Sequence, residues 1–164
     1  MKILLRKATI EDAETLFEWA NDPVTRQNSL SSSPIAWETH IRWLEGKLAD
    51  EKCLFYVAVD EDGIPCGTIR FDLDGHSNTA LISYSVAPLR RNNGIGTALL
   101  LQGEEKIRSI LPGWQLLGVV KKSNEGSVRC FIGNDYRENT PTESERIFSK
   151  YLQTKNNMEE RQKK

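Results

Sequence analysis

The stretch Val86-Ala87-Pro88-Leu89-Arg90-Arg91-Asn92-Asn93-Gly94-Ile95-Gly96-Thr97-Ala98-Leu99-Leu100 constrains this chain more than any other. It ends an apolar, strand-like run with a proline, turns basic and polar, and sets two glycines two residues apart. A helical apolar pattern follows. A helix that starts at such a turn directs its free backbone N–H groups and the positive end of its dipole at whatever lies in front of it. Gly94 and Gly96 carry no Cβ, so an anion can come close to the main chain. Arg90 and Arg91 add positive charge beside it. The stretch reads as a site for the phosphates of a cofactor. It lacks the G-x-x-x-x-G-K-[ST] of a Walker loop, and a dinucleotide fingerprint would open near the first strand with a third glycine.

The rest of the chain has the size for one domain: 164 residues bury a core without staples. The 22 Lys and Arg balance 23 Asp and Glu, so no overall charge draws the chain to nucleic acid or to an anionic membrane. Cys53, Cys66 and Cys130 form no C-x-x-C pair, and His40 and His76 are the only histidines, so neither a metal site nor a disulfide framework is expected. Met1 to Arg6 has too short an apolar run for a signal peptide, and no stretch is long enough to span a membrane. The expected compartment is the cytoplasm.

Taken in order, residues 3–6 read as a first strand and Thr9-Ile10-Glu11-Asp12 as a capped helix start, with Ala13, Leu16, Phe17 and Ala20 on one face. Asn21-Asp22-Pro23 ends that helix, because proline disfavours a helical residue before it. Residues 24–34 are polar and serine-rich and read, on composition, as a solvated connector. A second helix is expected over 36–50, with Trp37, Ile41, Leu44 and Leu48 facing the core and His40 beside them. Strands follow at 54–59, 64–73 and 80–86. In the middle one Gly67, Ile69, Phe71 and Leu73 share the packed face, leaving Thr68, Arg70 and Asp72 toward a substrate. A helix over 94–110 carries Ile95, Leu99, Gly103 and Ile107 on one side. Residues 114–120 are apolar enough for a central strand covered on both faces. Another helix is expected over 124–133, with last strands at 136–139 and 146–151. The fold class is thus α/β (α+β), a mixed sheet of six to seven strands with about four helices, in the order β-α-α-β-β-β-α-β-α-β-β. One domain covers 1–152, and 153–164 is a polar tail expected to fray.

Arg91-Asn92-Asn93-Gly94-Ile95-Gly96 resembles the Q/R-x-x-G-x-G/A signature of the GNAT acetyltransferases, with Val86 and Pro88 before it and Leu99-Leu100 after it at the family's spacing. The order of elements resembles that family from end to end. Asn124-Glu125-Gly126-Ser127 is similar to its N-x-x-S motif, with Phe131 and Asp135-Tyr136 at the places of its aromatic and closing Gly-Phe. The resemblance implies acetyl-CoA as cofactor. Its pyrophosphate would meet Arg91, Asn92, Asn93, Gly94, Ile95, Gly96 and Thr97, with Ser85, Val86, Asn124, Ser127 and Phe131 completing the cofactor site. The fourth and fifth strands would part at their ends to admit the pantetheine.

The implied reaction is attack of an amine on the acetyl thioester, which needs a neutral amine, an oxyanion donor and a proton for the sulfur. Two positions depart from the family. Its acid is a tyrosine where this chain has Phe131, and the glutamate base of its fourth strand corresponds to Leu81. Expelling a thiolate of pKa near 8.5 unprotonated at pH 7 costs only about 2 kcal/mol, and a general acid is worth about 10²- to 10⁴-fold. Tyr84, Tyr136, Ser127 or water could supply that proton, and His40, Asp72 or Tyr84 could take the amine's. Tyr84, His40, Tyr136 and Asn124 are therefore the catalytic candidates.

Residues 19–29 with Pro34, Ile35, Glu38, His40 and Trp43 resemble the GNAT branch that N-acetylates the 4-amino group of UDP-linked dideoxy sugars on the way to pseudaminic-type acids. That implies a nucleotide-sugar acceptor held by Arg26, Asn28, Ser29, His40 and Trp43. The alternatives are a protein N-terminus, which would call for an acidic groove, and a non-catalytic acyl-CoA-binding domain. A small-molecule amine partner and a monomer or homodimer are expected, without nucleic acid or membrane.

Overall fold

The computed structural model describes residues 2–154, and the expected tail beyond them lies outside the described residues. Seven strands form one sheet in the order β1-β2-β3-β4-β5-β7-β6: β1 (Leu4–Lys7), β2 (Cys53–Val59), β3 (Pro65–Asp74), β4 (Thr79–Val86), β5 (Gln115–Lys121), β6 (Arg137–Glu138) and β7 (Glu145–Tyr151). Every neighbouring pair is antiparallel except β4 and β5. Five helices cover the sheet: α1 (Ala13–Ala20), α2 (Pro23–Asn28), α3 (Trp37–Ala49), α4 (Ile95–Arg108) and α5 (Glu125–Gly133). No described helix is long and apolar enough to cross a membrane.

The period-two pattern of β3 sorts its side chains as the sequence requires. Ile69 and Phe71 enter the main core with Leu99 and Ile107 of α4 and Phe131 of α5, while Phe55 and Val57 of β2 pack on the other face with Leu16 of α1 and Leu44 of α3. The expected α4 stripe of Ile95, Leu99, Gly103 and Ile107 is buried throughout. In β5, Leu116, Gly118 and Val120 are buried, but the alternate residues are only half-buried, so this strand is fully covered on one face rather than two.

The helix count exceeds the sequence reading by α2. Pro23 ends α1, yet it also occupies the first turn of α2, where its missing N–H costs nothing. Asp22 caps that helix by accepting a hydrogen bond from the Thr25 N–H at 3.1 Å, a cap worth about 1 kcal/mol. The next segment is no loose connector. Asn21 exchanges hydrogen bonds with the Ile35 main chain at 2.8 and 3.0 Å, and Arg26 clips the turn that follows α2.

Candidate active site

Gly94 is the N-cap of α4 with φ of 76°, and Asn92 also lies in the left-handed region at 61°. Backbone bonding in α4 starts with Ala98 N–H donating to Gly94 O at 3.1 Å, which leaves the N–H groups of Ile95, Gly96 and Thr97 ahead of the helical ladder. No side chain caps the helix. A Cβ on Gly94 would stand in open space, so the cradle in front of it is accessible to an anion.

Gly96 has a different reason from the one its spacing suggests. Its absent Cβ would lie 2.9 Å from Cys130 Sγ and 3.4 Å from the Tyr84 ring, so glycine here lets α4 pack on α5. Arg91 turns away to Asp22, Nη2 to Oδ2 at 2.6 Å, and to Thr25 Oγ1 at 2.9 Å. Burial alone would raise the Asp22 carboxyl, but the bonds from Arg91 and Thr25 outweigh it and hold its pKa below the usual range. Asn93 contacts Arg90 O, and the Thr97 side chain reaches Cys130 Sγ at 3.7 Å.

Strands β4 and β5 pair only from Thr79↔Gln115 to Ile82↔Gly118 and then part. Two hydrogen bonds set the alternation along β4: Ala87 N–H donates to Cys66 O on the β3 side, and Gln115 N–H donates to Asn78 O on the β5 side. Odd-numbered residues of β4 therefore bond to β3, while the main chains of Tyr84 and Val86 face the gap. Ser85 is corrected on this point. Its main chain is committed to Thr68 of β3, and its side chain lies on the opposite face from Tyr84.

On the α4–α5 face of the gap, Tyr84 OH shares a 2.7 Å hydrogen bond with Ser127 Oγ. Burial raises the Tyr84 pKa, so it remains a neutral phenol at pH 7. Asn124 caps α5 by accepting from Ser127 N–H at 3.2 Å, which makes its role structural. Phe131 is a core ring, 2% exposed. It stacks on Phe148 with centroids 5.3 Å apart and meets Tyr84 and Tyr136 edge-on, so it is not a surface for the cofactor. Tyr136 is removed from the reacting region for the same reason: its ring packs on Phe131 and under Lys150, and its buried hydroxyl has no hydrogen-bond partner among the described residues.

The opposite face of the gap opens into a cavity of about 440 Å³. Its floor is Thr68, Arg70, Ser83 and Ser85 from β3 and β4, its walls are Leu16, Trp19, Thr39, His40, Trp43 and Phe55, and Thr25, Arg26 and Ser29 of the α2 region close it. Helix α2 is tied across the mouth, to the turn before α4 through Arg91 and to β5 through Lys121 Nζ, which donates to Gln27 O at 3.0 Å.

His40 is 2% exposed and borders this cavity. Its Nε2 lies 3.0 Å from Ala13 O; a carbonyl only accepts, so Nε2 carries the hydrogen and Nδ1 keeps its lone pair. Burial lowers its pKa against the smaller opposing effect of that bond, so it is neutral at pH 7. Asp72 is a poor base: burial would raise its carboxyl, but bonds from Lys47 at 2.7 Å and Arg70 at 2.9 Å outweigh this and hold it low.

The expected acceptor residues divide. Trp43 and His40 line the cavity, but Asn28 does not. Arg26 gives its donors to Ala20 O, Ser31 O, Ser33 O and Ser29 Oγ, and Ser29 in turn donates to Thr25 O, so this pair organises the wall. Thr39 and Ser83 join the cavity without having been signalled; Trp19 was signalled only as the start of the acceptor-like stretch, and Thr68 and Arg70 only as residues on the substrate face of their strand.

Residues 13–133 match the Acetyltransferase (GNAT) family. The chain belongs to the GNAT acetyltransferase family. Membership makes it an acetyl-CoA-dependent N-acetyltransferase, and the parted strands and the α4 turn suit that cofactor. Its fold is similar to that of spermidine N-acetyltransferase from Vibrio cholerae in complex with CoA and spermine (13% identity, 92% of this chain and 95% of that one, TM-score 0.83). It is similar too to a phosphinothricin acetyltransferase from Sinorhizobium meliloti in complex with AcCoA (18%, 93% and 90%, 0.73). A third likeness is to a ribosomal-protein α-N-acetyltransferase in complex with coenzyme A (12%, 92% and 94%, 0.78). No curated protein sequence matches this GNAT chain.

Proposed function

We propose that this GNAT enzyme acetylates the 4-amino group of a UDP-linked amino-dideoxy sugar, and that the amine binds in the cavity between α1–α3 and the sheet. The observation that carries the reading is the cavity's lining. Trp43 and Trp19 offer flat apolar surfaces to a sugar ring, Thr39, Thr68, Ser83 and Ser85 offer hydroxyls to its substituents, and among the described residues no carboxylate side chain lines it to hold a basic peptide.

Bound acetyl-CoA supplies the acetyl thioester. The N–H groups of Ile95, Gly96 and Thr97 and the left-handed turn at Asn92 and Gly94 would hold its phosphates. The main chains of Tyr84 and Val86, which lie beyond the β4–β5 pairs, would face its pantetheine. His40 Nδ1 takes the acceptor's ammonium proton, directly or through water, because its other nitrogen is fixed as a donor to Ala13. Tyr84 offers a hydrogen bond rather than a proton: a phenol's pKa near 10 already exceeds a thiol's near 8.5, and burial widens the gap. The unpaired thiols Cys53, Cys66 and Cys130 support the cytoplasm as the compartment.

The test is acetyl-CoA-dependent thiol release with a UDP-4-amino-dideoxy sugar in one cell and a basic N-terminal peptide in another. Release with the sugar alone is expected. Release with the peptide alone would overturn the acceptor assignment.

A further inference from the structure

The lining of the same cavity carries cationic side chains. Two guanidinium groups line it, and among the described residues no carboxylate side chain does. Among the described residues Arg26 bonds only to neutral acceptors, three carbonyl oxygens and a hydroxyl, and none of them supplies a counter-ion. Arg70 shares the single carboxylate of Asp72 with Lys47. Among the described residues, then, the Arg26 guanidinium has no carboxylate partner and that of Arg70 has only a shared one.

Arg70 is also poised for a ligand. Its Nε donates to Asp72 Oδ2 at 2.9 Å and its Nη2 to Ser83 Oγ at 3.3 Å, while Nη1 makes no hydrogen bond among the described residues. The guanidinium lies over the Trp43 ring at 5.1 Å and near Phe55 at 5.8 Å, and the side chain is 19% exposed. Stacked and tethered at one edge, the fork has little freedom left to lose on binding an oxyanion.

We infer that Arg70 recognises an anionic group on the acceptor, so that this enzyme acts on amines that also carry a phosphate or carboxylate and rejects polycations. The inference rests on the cavity being the acceptor site. Selectivity and chemistry then agree: positive charge around the amine favours its neutral, nucleophilic form, and a polyamine finds no carboxylate to compensate its charges.

The experiment is calorimetric titration of the CoA-saturated protein with glucosamine 6-phosphate, glucosamine and spermidine. The phosphate-bearing sugar is expected to bind about 10- to 100-fold more tightly than glucosamine, the value of a charge-assisted pair, and spermidine more weakly than either. Arg70→Gln abolishes the preference and Arg70→Lys retains part of it, both with wild-type CoA affinity. Equal affinity for the two sugars, tighter binding of spermidine, or a preference that survives Arg70→Gln overturns the inference. Thiol release with the UDP-4-amino-dideoxy sugar separates the two readings. Turnover of that sugar with kcat/KM unchanged in Arg70→Gln removes the role of Arg70 and leaves the nucleotide sugar. No turnover of it, with an Arg70-dependent phosphate preference, removes the nucleotide sugar and leaves Arg70.

Discussion

Gly118→Ala tests why the chain carries phenylalanine at 131. A Cβ at Gly118 would stand 2.3 Å from Phe131 Cζ and 2.5 and 2.9 Å from its Cε atoms, against about 3.5–4.0 Å for carbon atoms in contact. The ring cannot retreat, because it is held between Tyr84, Tyr136 and Phe148. Overpacking of this kind costs about 1–3 kcal/mol and belongs at the upper end here. For a chain of this length about 3 kcal/mol lowers Tm by roughly 6–12 °C. The assay is urea unfolding of the wild type, Gly118→Ala, Phe131→Leu and the double variant. Phe131→Leu makes room for the methyl group, so the double variant should lose at least about 1 kcal/mol less than the sum of the singles. A Gly118→Ala protein within about 0.5 kcal/mol of wild type, or strict additivity, would refute the packing argument.

Two further predictions follow from the same site. Phe131→Tyr presses its new hydroxyl toward Gly118 in the core, so Tm should fall by a few degrees at a cost of about 1–3 kcal/mol. Its kcat should not rise; a tenfold increase would mean that the hydroxyl reaches the reacting sulfur after all. His40 is buried neutral with its pKa below the ordinary 6.5, so the unfolded chain takes up the proton first. Its contribution to stability is complete above about pH 6.5 and is lost as the pH falls through that value, at up to about 1.4 kcal/mol per pH unit. His40→Gln should flatten the stability profile between about pH 6.5 and 5; an unchanged slope would contradict the burial argument. The depressed carboxyls of Asp12, Asp22 and Asp72 act in the same direction but only below their ordinary 3.8, so the windows are separate.

The glycine turn between β4 and α4, the order of strands and the faces of β3 and α4 are legible from local pattern, because period, proline and glycine act within a few residues. What the sequence hides is how distant groups satisfy one another. Asp22-Pro23 marks both the end of α1 and the start of α2, and only the Thr25 N–H bond to Asp22 distinguishes the second meaning. Arg26 and Ser29 have the chemistry of ligand contacts but are consumed by carbonyls and each other in the turn they build. Gly96 fits a cradle by spacing and a helix crossing by contact. Arg70 could be placed on a face with Asp72 but not beside Trp43 and Ser83, which come from α3 and β4.

The measurement that bears most directly on the central claim, that the β4–α4 turn is the cofactor's phosphate cradle, is acetyl-CoA calorimetry on the wild type and Gly94→Val, with circular dichroism to follow the fold. The open space before Gly94 and its φ of 76° predict wild-type binding and an affinity loss of about 100-fold or more in a folded variant, as a branched side chain takes the place of the phosphates. Affinity retained by folded Gly94→Val would contradict the account.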